Sequence, residues 1–467
     1  MALGTVTRRV ALGCCVAVLF TGPTTHPAFA REPAAGELPA ELADAVHRDL
    51  HIDAHEYLTR TATAQRLAEF ASTARMIYPS VFAGVHMDGA RPIVSLATGV
   101  SADAARTAAG KAGFDVQAVT LSEAALRRRG TAFEHWLTTQ PRSTLEAVVG
   151  WGMDVERNNF TVRLTKDVPL PKADGPIQPV SMVMPEALPD SKGPSVRAIG
   201  VAGPIPDYLG GQPYAIELEG ATHHCSFGFN ATTADGHSMN ITAGHCDPDN
   251  LTSADKKSPQ PPPIFDSTDT GHGPQIGHFE ASDFAPHDYG LLRIEDRVAA
   301  SFHNNLISAN RIAPAPDSRN SSDDPSTGSS GSPRDHAGSP DPQVVAIDGT
   351  ADPIVGAGIC KSGFKSGYTC GTVLAVNQKA NLRDVPGHGK EVVQIEGMFF
   401  AAVCAQRGDS GGPIIAGTKA VGINSAIVTI NTPLDNGCGH LPLLIGQPIN
   451  PVLHDHPGLT VRTTSGR

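Results

Sequence analysis

The sequence predicts two folded units in series, a small α+β region followed by a larger all-β region, and three observations carry that expectation. The chain has 467 residues, more than one compact domain usually holds. Apolar residues recur at helical spacing between about residues 38 and 77, for instance Leu38, Leu42, Val46 and Leu50. From Cys225 onward the apolar runs shorten and are separated by Gly, Pro, Asn and Asp, with scarcely any helical period.

Residues 1–30 read as an export signal. Arg8 and Arg9 supply the positive start, Val10 to Phe20 an apolar stretch too short to span a bilayer, and Ala28-Phe29-Ala30 a small-residue cleavage site. The mature chain is therefore expected to begin near Arg31 and to be secreted without a stable membrane anchor. Thr7-Arg8-Arg9 matches part of a twin-arginine pattern, which leaves the export route open. Cys14 would be a lipoprotein site only if cleavage came before the apolar stretch had properly begun.

Residues 31–167 form the α+β region. Helical spacing covers Leu38 to Thr63 and Ala64 to Ile77. Val81 to Val85 and Ile93 to Ala97 flank Asp88-Gly89 as a hairpin turn. Ala104 to Ala112 returns to a helical pattern, and Val148 to Asp154 with Phe160 to Leu164 reads as a second hairpin turning at Asn158-Asn159. Residues 168–211 change to Pro, Gly and scattered charge, the composition of an exposed, cleavable linker.

Residues 212–467 carry the short strands: Ser226 to Phe229, Ile276 to Phe279, Tyr289 to Ile294, Val344 to Ile347, Thr372 to Val376, Val392 to Ile395, Ile414 to Ala416 and Ala420 to Ile430. Pro259 to Pro263 reads as a surface insertion. Residues 314–342, rich in Ser, Asp, Gly and Pro, read as a low-complexity insertion unable to bury enough apolar area to order itself.

A formal net charge of −11, with a longest basic run of only Arg127-Arg128-Arg129, excludes a nucleic-acid binder, which needs a basic face against phosphates. Of eight cysteines, Cys14 and Cys15 fall in the signal. The remaining six, Cys225, Cys246, Cys360, Cys370, Cys404 and Cys438, all lie in the C-terminal half. An even number in an exported chain points to disulfides, and the paired C-x-x-C ligands of a zinc site are missing, so neither metal nor cofactor is expected.

Gly408-Asp409-Ser410-Gly411-Gly412-Pro413 is the strongest chemical signal. A serine hydroxyl is a poor nucleophile at neutral pH, so it needs a base and a pair of donors for the oxyanion, and flanking glycines let backbone amides converge. A plain Gly-rich turn is the bland reading of the same residues. Thr242-Ala243-Gly244-His245-Cys246 offers the base, although the chain has nineteen histidines and one taken singly is more often structural. Asp288 precedes the apolar run Tyr289-Gly290-Leu291-Leu292, where a buried carboxylate could orient an imidazole. The order His, Asp, Ser is that of the chymotrypsin triad.

With these segments in view, the chain from about Cys225 resembles the bacterial chymotrypsin-fold serine proteases of the streptogrisin and alpha-lytic endopeptidase family. The resemblance rests on Cys225-Ser-Phe-Gly-Phe-Asn230, Thr242 to Cys246, Cys360 to Val373, Cys404 to Pro413 and Asn436-Gly-Cys438-Gly. It implies two β-barrels with His245, Asp288 and Ser410 as catalytic triad in the cleft between them. It further implies an oxyanion hole from the Gly408 and Ser410 amides, and disulfides pairing Cys225 with Cys246, Cys360 with Cys370 and Cys404 with Cys438. Ser425, Ala426 and Ile427 would bind substrate. Ile427 would stand where the family has a glycine, narrowing the pocket toward small aliphatic residues before the cleaved bond. Lys361 would replace the family's internal arginine beside Asp409. The α+β region would be a propeptide that guides folding and blocks the site, and protein or peptide substrates would be the partners of a monomer.

Other readings compete. G-x-S-x-G is also the α/β-hydrolase elbow, with Asp435 and His440 following Ser410, but that elbow must open a helix and Pro413-Ile414-Ile415 continues as a strand. A catalytically silent homologue that binds peptides or surfaces would keep the fold without the chemistry. Zinc on His223, His224 and Cys225 converges poorly, because adjacent strand residues face opposite ways.

Overall fold

A computed structural model describes residues 38–171, 177–181, 207–253, 257, 259–268, 271–309, 343–383, 385–389, 391–428 and 442–463. The signal segment and the low-complexity insertion lie outside the described residues.

The N-terminal region runs α1 (Ala40–Leu50), α2 (Ala54–Ile77), β1 (Phe82–Asp88), β2 (Arg91–Ala97), α3 (Ala102–Lys111), β3 (Asp115–Val119), α4 (Glu123–Thr138), α5 (Arg142–Leu145), β4 (Val148–Asp154), β5 (Asn159–Leu164) and β6 (Ile177–Ser181). The first two helices part at residues 51–53 rather than near residue 63. His51 takes a left-handed φ of 58° and its amide bonds back to the His47 carbonyl. The Asp53 side chain then accepts from the Glu56 amide to start α2. Tyr57, Thr61, Ala64, Ala68 and Ala71 continue one buried stripe through residue 63, so nothing interrupts the helix there. The periodicity read above also passed over β3 and α4, the latter capped by Ser122 and turning Leu126, Phe133 and Leu137 inward.

The C-terminal region runs β7 (Pro213–Leu218), β8 (Ala221–Ser226), β9 (Phe229–Thr232), β10 (Ser238–Thr242), β11 (Pro263–Thr268), β12 (Gly271–Phe284), β13 (Asp288–Ile294), β14 (Leu306–Ser308), β15 (Val344–Ala346), β16 (Gly349–Thr350), β17 (Gly358–Lys361), β18 (Thr369–Leu382), β19 (Val393–Val403), β20 (Pro413–Ala416), β21 (Lys419–Val428), β22 (Leu443–Pro448), α6 (Ile449–Asp455) and β23 (Thr460–Val461). These strands form the two β-barrels of a chymotrypsin-like fold. One sheet runs β23-β9-β10-β13-β12-β11-β7-β8, and the other orders β17-β20-β21-β22-β19-β18. Tyr214, Phe227, Ile264, Phe279 and Leu292 fill the first barrel, and Ile359, Val373, Phe399, Ile414, Val421 and Leu444 the second.

The N-terminal region is built onto the second barrel. β4 pairs antiparallel with β18, Gly150 opposite Ala380 and Gly152 opposite Gln378. A Cβ at Gly150 would overlap the Lys379 carbonyl oxygen, so the close approach of the two backbones requires glycine there. β6 lies within the stretch read as linker and adds in parallel to β5. Leu42, Ala45 and Val46 of α1 are wholly buried in one cluster with Tyr368, Cys370 and Ile415. Asp49 Oδ2 accepts from the Cys370 amide at 2.8 Å, and the Tyr57 hydroxyl accepts from the Gly417 amide at 2.9 Å.

Candidate active site

His245 sits in a short 3-10 turn, Gly244–Cys246, directly after β10. A Cβ on Gly244 would overlap the Asp283 carbonyl, so the turn packs backbone to backbone against the end of β12. The Cys225–Cys246 disulfide ties the turn to β8. Asp288 opens β13 and grips the histidine twice: Oδ1 accepts from the His245 amide at 2.9 Å, and Oδ2 lies 2.8 Å from Nδ1. Both side chains are fully buried. A carboxylate at Nδ1 leaves the other ring nitrogen as the reactive face. Nε2 is buried and has no hydrogen-bond partner among the described residues.

Asp288 is further held from the second barrel. The Ser425 hydroxyl donates to its Oδ2 at 2.5 Å, and its own amide donates to Gln447 Oε1 at 3.0 Å. Neither contact has a local motif. Each joins strands more than a hundred residues apart, so neither was legible in the sequence.

Ser410 lies on the loop leading into β20. Gly408 and Gly411 take φ of 98° and 81°, in the region that side chains rarely adopt, and this folds the loop sharply about the serine. The Ser226 amide donates to the Ser410 carbonyl at 2.8 Å, and the Ser226 hydroxyl to the Gly408 carbonyl at 2.9 Å. Gly411 is pressed against Thr242 and Ala243, where a Cβ would overlap the Thr242 hydroxyl. The serine loop thus abuts the residues that lead into the His245 turn. The amides of Gly408 and Ser410 bond to no acceptor among the described residues, whereas those of Asp409, Gly411 and Gly412 are all engaged.

Asp409 is a buried hub. Lys361 Nζ lies 2.8 Å from its Oδ2, and neither side chain has any exposed surface. The amides of Lys365, Ser366 and Gln406 also donate to this carboxylate, with the Ser366 hydroxyl close on Oδ2. Lys361 further donates to the Gly367 carbonyl at 3.2 Å. Burial pushes the Lys361 ammonium below its ordinary pKa, and the Asp409 charge opposes that shift.

The Ser425 side chain is committed to Asp288, and Ala426 packs with Phe284, Phe400 and Ile445. Ile427 is buried in one apolar cluster with Val403, Ala405, Phe399 and Leu444. Cys360 pairs with Cys370. Cys438, the expected partner of Cys404, lies outside the described residues, as do Asp435 and His440. Cys225 is bonded to Cys246, which removes the thiolate from a zinc site with His223 and His224. No group of three or more His, Cys, Asp or Glu among the described residues is arranged to hold a metal ion. Nor is any described helix long and apolar enough to cross a membrane.

The family described as Trypsin matches residues 212–438. Residues 212–438 form a trypsin-family domain. The chain is a serine endopeptidase of the chymotrypsin type. It is 24% identical to Streptogrisin-C of Streptomyces griseus over 470 residues, covering 98% of this chain and 83% of the relative. It is 27% identical to Serine protease 1 of Streptomyces fradiae, over 59% of this chain and 58% of that one. To Glutamyl endopeptidase 2 of Streptomyces griseus it is 28% identical, over 52% of this chain and 96% of the relative. Among solved structures, Nocardiopsis protease shares 25% identity, with 55% of this chain and all of that chain covered at a TM-score of 0.36. The matched residues thus take in His245, Asp288, Ser410 and all strands of the two barrels except β22 and β23.

Proposed function

We propose that the chain is a secreted precursor whose trypsin-family domain hydrolyses peptide bonds through an acyl-enzyme on Ser410, with His245 as general base and Asp288 as its orienting carboxylate. The observation that carries this reading is the imidazole gripped twice by Asp288, with Nε2 left unpartnered among the described residues, while Gly411 of the serine loop packs against Thr242 and Ala243 ahead of the histidine turn. Nε2 takes the Ser410 proton as Oγ attacks the carbonyl carbon. The amides of Gly408 and Ser410 receive the oxyanion, and the imidazolium returns its proton to the leaving amine. Water, deprotonated by the same nitrogen, then releases the acyl group and restores Ser410. A serine-directed organophosphate should label Ser410 stoichiometrically; folded protein that takes no label at Ser410 would instead be a silent peptide-binding homologue.

Small aliphatic residues are preferred before the cleaved bond, because the branched Ile427, packed among Val403, Ala405, Phe399 and Leu444, stands where the resemblance gives a glycine at the pocket mouth. Among the described residues, the apolar cluster around Ile427 holds no charged side chain to meet a glutamate, which argues against the specificity named for Glutamyl endopeptidase 2. Ile427→Gly should raise kcat/KM for a Phe substrate relative to an Ala substrate by roughly 10- to 100-fold, the range that a few methylenes in a pocket command. Chromogenic peptides measure this, and a wild-type enzyme faster after Phe, Arg or Glu than after Ala would refute the preference.

Residues 31–167 act as a propeptide, removed within 168–211, that assists folding and inhibits. Its support is the α1 and β4 docking on the second barrel, whose long-range pairings fold slowly unaided. Leu42→Asp places a carboxylate in a fully buried apolar site and is expected to weaken that docking by about 3 kcal/mol or more. The yield of active enzyme in the medium should fall at least several-fold, and an undiminished yield would remove the folding role.

A further inference from the structure

We propose that Gln447 is a positioning residue for Asp288, acting on it from the opposite barrel. The inference rests on the triad reading above and adds a residue that no motif marks. Asp288 is the first residue of β13, and its amide points out of the strand pairing to Gln447 Oε1 at 3.0 Å. Gln447 is itself held. It is 1% exposed, its backbone pairs with Ile423 on β21, and its Nε2 donates to the Pro448 carbonyl at 3.3 Å, which directs Oε1 toward Asp288.

The neighbouring strand β21 carries Ser425, whose hydroxyl reaches the Asp288 carboxylate. Two adjacent strands of the second barrel therefore hold one residue of the first, Ser425 by the carboxylate and Gln447 by the backbone. Orientation of a side chain follows from the peptide that carries it. The same peptide is held at its other end by the Ala285 amide on the His287 carbonyl, so its plane is fixed by one acceptor contact and one donor contact. Without the Gln447 oxygen the buried amide is an orphan donor, and turning the peptide to satisfy it swings the carboxylate away from both His245 bonds. Because Ser410 sits on the second barrel and His245 on the first, this bond also registers the base against the nucleophile.

The test uses the full-length enzyme with Gln447→Met, which keeps bulk and loses the acceptor, and Gln447→Glu, which keeps an acceptor oxygen. Gln447→Met should lower kcat by about 10- to 100-fold, as expected for small misplacement of a catalytic group, with KM nearly unchanged and organophosphate-titratable sites undiminished. Gln447→Glu should recover most of kcat.

Wild-type kcat in Gln447→Met overturns the proposal. So does a loss matched by an equal loss of titratable sites, which is a folding defect. Should Gln447→Met fail to fold, kcat per titratable site of Gln447→Glu decides alone, and a loss of about ten-fold or more at unchanged KM refutes the role of the acceptor oxygen. Absence of organophosphate labelling in the unmodified enzyme would instead refute the triad reading itself.

Discussion

Ser410→Ala is expected to lower kcat/KM on a small peptide anilide by roughly 10⁴- to 10⁶-fold, the loss that follows when a serine triad loses its nucleophile. The effect is large because every covalent step passes through one oxygen, while the remaining parts act only on what that oxygen forms. Some catalysis should persist if, as proposed, the amides of Gly408 and Ser410, unengaged among the described residues, polarise a bound carbonyl. The substitution removes no hydrogen bond described for the Ser410 side chain, so thermal unfolding should be nearly unchanged. Initial rates together with a melting curve test both halves. An alanine variant within about ten-fold of the parent would place the nucleophile elsewhere.

Lys361→Met should destabilise the domain by about 3–5 kcal/mol, the cost of leaving one member of a buried ion pair uncompensated. The Asp409 carboxylate would keep its amide donors and the Ser366 hydroxyl but lose the only cation described against it. Asp409 directly precedes Ser410, so the same loss should distort the serine loop and lower kcat. Adding Asp409→Asn removes the stranded charge and should return part of the stability, because an unpaired buried ion costs more than a neutral pair. For a domain of this size the single variant should melt roughly 10 °C lower. A shift of only a degree or two would mean that water reaches Asp409 and pays its solvation in place of Lys361.

Legibility in the sequence followed the range of the interaction. The hairpins around Asp88-Gly89 and Asn158-Asn159 were readable because a tight turn and its flanking strands lie within one window. The break between α1 and α2 was misplaced because capping by Asp53 and the left-handed His51 outweighed the apolar spacing on which the expectation rested. α4 was passed over because much of its surface is polar and its buried face is completed by the Phe133–Trp151 and Phe133–Phe160 contacts with β4 and β5. At the site, His245 and Asp288 stood out because short motifs surround them. Ser425 stood out only as a substrate-binding strand residue, and neither its bond to Asp288 nor Gln447 was marked, since a serine and a glutamine gain such roles only from the residue they face.

The chemical inventory is written in the residues themselves: a serine among glycines, a histidine beside a cysteine, an aspartate opening a strand, and the pattern of short strands that carries them. The folded arrangement was needed to show which groups hold Asp288, how completely the Lys361–Asp409 pair expected from the resemblance is buried, and that α1 and β4 belong to the surface of the second barrel. The physical reason is that a side chain's chemistry is covalent and local, whereas burial, pairing and orientation depend on strands brought together from distant parts of the chain.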